Sequence, residues 1–218
     1  MPLEGRGIGF GYRQDSWILR NVEVSIAPGE RVGLTGPSGR GKTTLAWILS
    51  GHLKPREGGV LVDGRPLPMR GYCPVQLVLQ HPEKAVNPRW RMREILAEGW
   101  MPDQETLDAF GIEPKWLKRW PNELSAGELQ RFCVVRALGP QTRYLILDEI
   151  STMLDALSQA QIWRALVSVA WSRKLGLLVV SHDLPLLRQV CSRIIFMPEA
   201  PDGSRRYSGK SWDFSPAE

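Results

Sequence analysis

Nine residues, Gly36 to Thr44, limit what this chain can fold into more than any other stretch. They read GPSGRGKTT, a match to G-x-x-x-x-G-K-[ST]. An apolar run, ERVGLTG at 30 to 36, precedes them, and a helical pattern, GKTTLAWILSG at 41 to 51, follows with Gly51 as its C-cap. A loop between strand and helix can turn successive backbone N–H groups around an anion, because glycines leave the room and the helix adds its positive end. On that reading Gly36, Pro37, Ser38, Gly39, Arg40, Gly41, Lys42, Thr43 and Thr44 cradle the phosphates of a nucleotide. Lys42 reaches the outer phosphates, and the Thr43 hydroxyl ligates Mg²⁺.

Further apolar runs at 75 to 80 (VQLVLQ), 143 to 149 (RYLILDE) and 176 to 182 (GLLVVSH) read as buried strands. Helical patterns at 128 to 138 and 156 to 174 lie between or beside them, which predicts an α/β fold with a mostly parallel sheet covered on both faces. A chain of 218 residues holds one such domain with a small insert, not two. The insert is expected at about 81–130, where charge, Trp and Pro break the alternation and short helical pieces occur, MREILAEGW and QETLDAFG. The tail after Met197 has loop composition and is expected to add little to the core.

Composition narrows the class. Hydrophobic residues make up 43% of the chain, yet no apolar run reaches the roughly 18 to 20 residues that would span a bilayer. The first residues lack the apolar stretch of a secretion signal, which predicts a cytoplasmic protein. Cys73, Cys133 and Cys191 are isolated and show no metal-ligand spacing, so they are expected to be reduced bystanders. The net charge of +5 suits a nucleotide, a nucleic acid or an anionic membrane, and equally an ordinary basic surface.

At the end of the run LILDE, Asp148 and Glu149 form a strand-tip acidic pair. With a phosphate loop in the same chain, Asp148 is suited to hold Mg²⁺, and Glu149, pointing to the other side of the strand, to polarise an attacking water. Farther along, Asn122-Glu123-Leu124-Ser125-Ala126-Gly127-Glu128-Leu129-Gln130-Arg131 resembles the LSGGQ signature of the ABC ATPases, with Ala126 in place of a glycine and Glu128 in place of Gln. Ser125 and Gly127 retain the hydroxyl and the bare backbone at the start of a helix, where both can donate to phosphate.

That resemblance covers nearly the whole chain. It implies a P-loop NTPase core of the RecA-like kind, an antiparallel β edge and an inserted helical subdomain. It also implies ATP and Mg²⁺ as cofactors. Tyr12 matches the aromatic that stacks on adenine, Gln80 the residue that touches Mg²⁺ and water, Thr152 to Asp155 the D-loop, and His182 the switch histidine that holds the attacking water. The segment QHPEKAVNPRW at 80 to 90 is similar to the peptide, nickel and opine-metallophore importers, which implies a subunit that couples ATP hydrolysis to uptake; the alternatives are an ABC exporter subunit or a soluble ABC ATPase without a transport role. The implied partners are ABC permease subunits, a second ATP-binding subunit (a copy or a relative) and, indirectly, a solute-binding protein, with no nucleic acid. The implied location is peripheral, at the cytoplasmic face of the inner membrane. Trp90, Trp100, Trp116 and Trp120 are either part of a permease-docking surface or packing for the small subdomain. Those importers usually carry a longer C-terminal extension than the short tail that follows His182.

Overall fold

The computed structural model describes residues 1–13, 16–152, 154–197, 207–210 and 212–214. Two sheets organise the chain. The first runs β10-β2-β1-β4-β5, built from β1 (Leu3–Phe10), β2 (Leu19–Ile26), β4 (Glu57–Val62), β5 (Arg65–Pro66) and β10 (Tyr207–Lys210). Its strands are antiparallel except for the pairing of β10 with β2. The second runs β11-β9-β3-β8-β7-β6, from β3 (Arg31–Thr35), β6 (Val75–Val78), β7 (Tyr144–Asp148), β8 (Gly176–Val180), β9 (Arg193–Phe196) and β11 (Trp212–Phe214). All of its pairings are parallel except that of β11 with β9.

Side-chain alternation assigns the two faces of the parallel sheet to two cores. Leu145 and Leu147 of β7, with Leu177 and Val179 of β8, pack with Phe132, Ile162 and Leu166. Those three come from α4 (Ala126–Ala137) and α5 (Ala156–Arg173). Tyr144 and Ile146, with Leu178 and Val180, face the other way, onto the antiparallel sheet and onto Leu45 and Ile48 of α1 (Lys42–Leu49). Coverage on both faces is why these strands are continuous apolar runs in the sequence. In contrast, β2 alternates between buried and exposed positions, since only one of its faces is covered.

Between β6 and β7 the chain forms α2 (Met92–Gly99), α3 (Gln104–Ala109), three short 3-10 turns and then α4. A last helix, α6 (Leu184–Val190), leads from β8 to β9. Helix α1 is capped at Ser50, and Gly51 sits one residue beyond it with φ 78°. The left-handed residue after the cap is the usual place for glycine, so Gly51 follows the cap instead of forming it.

The tail departs from the loop expectation. Tyr207–Lys210 pairs with β2, and Trp212–Phe214 with β9, so each sheet gains an edge strand from the segment after Met197. An edge strand carries unpaired N–H and C=O groups, and a short aromatic-containing segment can satisfy them with no long apolar run to announce it. Residues 198–206, 211 and 215–218 of the tail lie outside the described residues.

Because β3, β6, β7 and β8 are parallel, their carboxyl ends open on one edge of the sheet, the usual place for a ligand in this architecture. Gly36, Gln80, Glu149 and His182 all follow those ends within two residues.

Candidate active site

Two glycines shape the loop after β3. Gly36 has φ 141°, and a Cβ there would lie 2.3 Å from the Met197 carbonyl oxygen. Gly41, at φ 90°, stands in the left-handed region as the residue before α1. The chain thus turns back and enters a helix with its first N–H groups free of intrahelical partners. Lys42 lies across the loop, its Nζ donating to the carbonyls of Gly36 (2.8 Å) and Pro37 (3.0 Å). Burial lowers the pKa of this ammonium, while Glu149 and Asp148 act to hold it up. Arg40 is nearly as buried, at 9% exposure.

The Thr43 hydroxyl donates to Asp148 Oδ1 at 3.3 Å, joining the first turn of α1 to the tip of β7. Asp148 is buried, and burial raises its carboxyl pKa against the lowering effect of the Thr43 bond. Two hard oxygens from different elements, one of them a buried carboxylate with a single hydroxyl partner, suit a small divalent cation that takes its other ligands from water and phosphate. Mg²⁺ fits that donor set. Among the described residues no group of three His, Cys, Asp or Glu could hold a metal on protein ligands alone.

Glu149 is not placed by the strand's pleat, as the sequence reading expected. Strand β7 ends at Asp148, and Glu149 takes φ 49°, its N–H donating to the Val180 carbonyl at 3.0 Å. A left-handed non-glycine residue costs roughly 1 kcal/mol or more and persists where its surroundings hold it. Here the turn aims the carboxylate at His182, whose Nδ1 is 3.4 Å from Glu149 Oε1. Gln80 reaches the same turn from β6. Its Nε2 donates to the Thr152 hydroxyl at 3.4 Å, and that hydroxyl donates to the Glu149 carbonyl at 3.0 Å.

A cleft of about 740 Å³ runs beside these groups. Ser38, Lys42, Thr43, Thr44 and Glu149 line one part, and Tyr12, Arg13 and Trp17 another. Tyr12 is exposed, edge-on to Phe10 at 5.0 Å, and its hydroxyl lies 3.4 Å from Thr44 Oγ1. Trp17 was not singled out from the sequence. Its position five residues after Tyr12 and just before an apolar strand was the available signal.

Ser125, Gly127 and Asp155 form a second group that does not line this cleft. Ser125 caps α4 in a reciprocal box: its hydroxyl accepts from the Glu128 N–H (3.2 Å), and its own N–H donates to the Glu128 carboxylate (2.7 Å). Glu128, a departure from the signature, thus organises the start of the signature helix. Asp155 caps α5 by accepting from the Ser158 N–H at 2.9 Å, which lowers its pKa. A Cβ on Gly127 would stand 3.0 Å from Leu154 Cδ2, so the two helix starts touch. Met153, within the expected D-loop, lies outside the described residues.

Arg131 fastens these starts together. It is buried, and donates to the carbonyl of Phe110 (2.7 Å), to Gln161 Oε1 (2.8 Å) and to Ser158 Oγ (3.0 Å). Removing it leaves the buried Phe110 carbonyl unpaired, at about 1 to 3 kcal/mol, and loses two part-buried bonds besides. Arg131→Ala should therefore lower stability by about 3 kcal/mol in urea unfolding, and a change below about 0.5 kcal/mol would show the network to be dispensable.

Of the four tryptophans, Trp116 is buried and Trp100 donates from Nε1 to the Val135 carbonyl at 2.9 Å, so both pack. Trp90 and Trp120 are exposed, and the Arg91 guanidinium lies 4.1 Å from the Trp120 ring centroid. Cys133 and Cys191 are buried free thiols, and Cys73 is a half-buried one.

The family model described as ABC transporter matches residues 19–152. The nickel import system ATP-binding protein NikE of Staphylococcus aureus is 33% identical over 211 residues, covering 90% of this chain and 87% of that protein. Among solved structures, a dimeric bacterial ABC transporter cassette superposes with a TM-score of 0.80 at 21% identity, covering 99% of both chains. A Clostridium perfringens component of the ABC transporter complex cbiONQ gives 0.77 at 22%, over 98% of this chain and 88% of that one. A phosphate loop, a strand-tip Asp–Glu pair and a capped signature helix in one chain, matched over this length, establish that the protein belongs to the ABC transporter family and is one of its ATPases.

Proposed function

We propose that this chain is the ATP-binding subunit of an importer, completing its catalytic sites only when two such subunits face each other. The observation that carries the reading is the separation of its two half-sites. Lys42, Thr43, Asp148 and Glu149 gather at the cleft, whereas Ser125 and Gly127 open α4 elsewhere. A helix start offers N–H groups and a positive end to an anion, and in a facing pair each α4 start meets the phosphates held in the other subunit.

Each residue then has a role. The phosphate loop and Lys42 bind the triphosphate, with Tyr12 against the base. Thr43, Asp148 and Gln80 would hold Mg²⁺, which would supply neutralising charge at the phosphates. Glu149 polarises the attacking water, and His182 orients it. Asp155, beside the helix starts, links the two subunits. The chemistry is positioning and charge stabilisation, with no covalent intermediate on the protein.

The helical stretch at about 81–130 acts as an inserted subdomain that receives a permease. Trp90 and Trp120, exposed on it, are suited to that contact. On the importer reading the chain reaches the cytoplasmic face of a membrane by docking on the permease. No helix among the described residues is long and apolar enough to cross a membrane. Similarity to a nickel import ATP-binding protein favours uptake of nickel, a metal chelate or a peptide-like solute, delivered by a binding protein.

Purifying the chain from detergent-solubilised native membranes tests this. Two permeases and a second ATP-binding subunit are the expected companions. A complex without membrane proteins would overturn transport while leaving the ATPase chemistry intact.

A further inference from the structure

The part of the cleft farther along from the phosphate loop is made by a tight arch joining β1 to β2. Ile18 N–H donates to the Phe10 carbonyl at 2.7 Å, and Ser16 N–H to that of Arg13 at 3.0 Å. The arch closes so sharply at Gly11 that a Cβ there would lie 1.6 Å from the Ser16 carbonyl oxygen. Tyr12 and Trp17 stand on its two limbs, and both line the cleft. They differ in how they are held. Tyr12 is 65% exposed. Trp17 is half-buried, packs against the backbone of Gly9, where a Cβ would come within 3.0 Å of Cζ3, and carries the Arg56 guanidinium 5.8 Å from its ring centroid.

We propose that Trp17 is a second stacking surface for the nucleobase, a fixed wall that works with the more exposed Tyr12. The inference rests on the nucleotide-binding reading of the cleft. With the phosphates held at Lys42 and Thr43, the base falls at the arch, where two aromatic rings supply π surface of a kind that bases stack on. An indole used only to prop the arch need not line the cleft.

A ligand without a base separates these roles. Calorimetry on the purified chain would compare Mg-ATP with Mg-tripolyphosphate for the wild type, Trp17→Ala and Trp17→Phe. Loss of the indole should weaken Mg-ATP binding roughly tenfold and leave tripolyphosphate affinity within about twofold, with Trp17→Phe recovering most of the difference. Unchanged ATP affinity in Trp17→Ala would overturn the proposal, and so would equal weakening of both ligands, which would make Trp17 a support for the phosphate loop. A wild type that binds neither ligand would sink the nucleotide reading itself, and this proposal with it.

Discussion

Glu149→Gln should leave Mg-ATP binding close to that of the wild type and lower turnover in the assembled complex about 1000-fold. The two side chains are nearly the same size, so the turn at φ 49° and the backbone bond to Val180 have no reason to change. Proton acceptance does change, since an amide cannot take up the charge that develops as water attacks. His182, 3.4 Å from the carboxylate, would face a neutral amide instead. Wild-type-like turnover would remove Glu149 from the role of base. A parallel loss of ATP affinity would instead assign it to binding.

Lys42→Ala should raise the Kd for Mg-ATP by at least about 100-fold, since it removes a charge-assisted donor to the phosphates from a buried site. Among the described residues its hydrogen bonds go to the carbonyls of Gly36 and Pro37 in its own loop, so the fold should tolerate the change and the melting temperature should move little. Calorimetry checks the affinity and a thermal melt checks the fold. Micromolar affinity in a folded variant would count against the loop as the triphosphate site.

Much of the catalytic edge was legible because it sits where strongly patterned segments end. The buried strands β3, β6, β7 and β8 are continuous apolar runs, and Gly36, Gln80, Asp148 and His182 lie at or just past their carboxyl ends, where parallel strands must open together. Glu149 shows the limit of that logic: its residue type was readable, but its direction depends on one left-handed turn beyond the strand. Trp17 and Arg131 were harder. An aromatic before a strand and an arginine inside a helix are ordinary in sequence, and their meaning comes from the Gly11 arch and from acceptors just past α3 and on α5, distant in the chain. The edge strands after Met197 were missed because pairing with an existing sheet requires little pattern of its own.

The cleft also has a mechanical side. Its phosphate end hangs from the parallel sheet, through β3 and β7, and its aromatic end from the antiparallel sheet, through β1 and β2. On the proposed reading, a bound nucleoside triphosphate touches both plates at once. The shared apolar core sets how far apart the plates sit, so on that reading the loss of the terminal phosphate loosens the ligand at its parallel-sheet end alone.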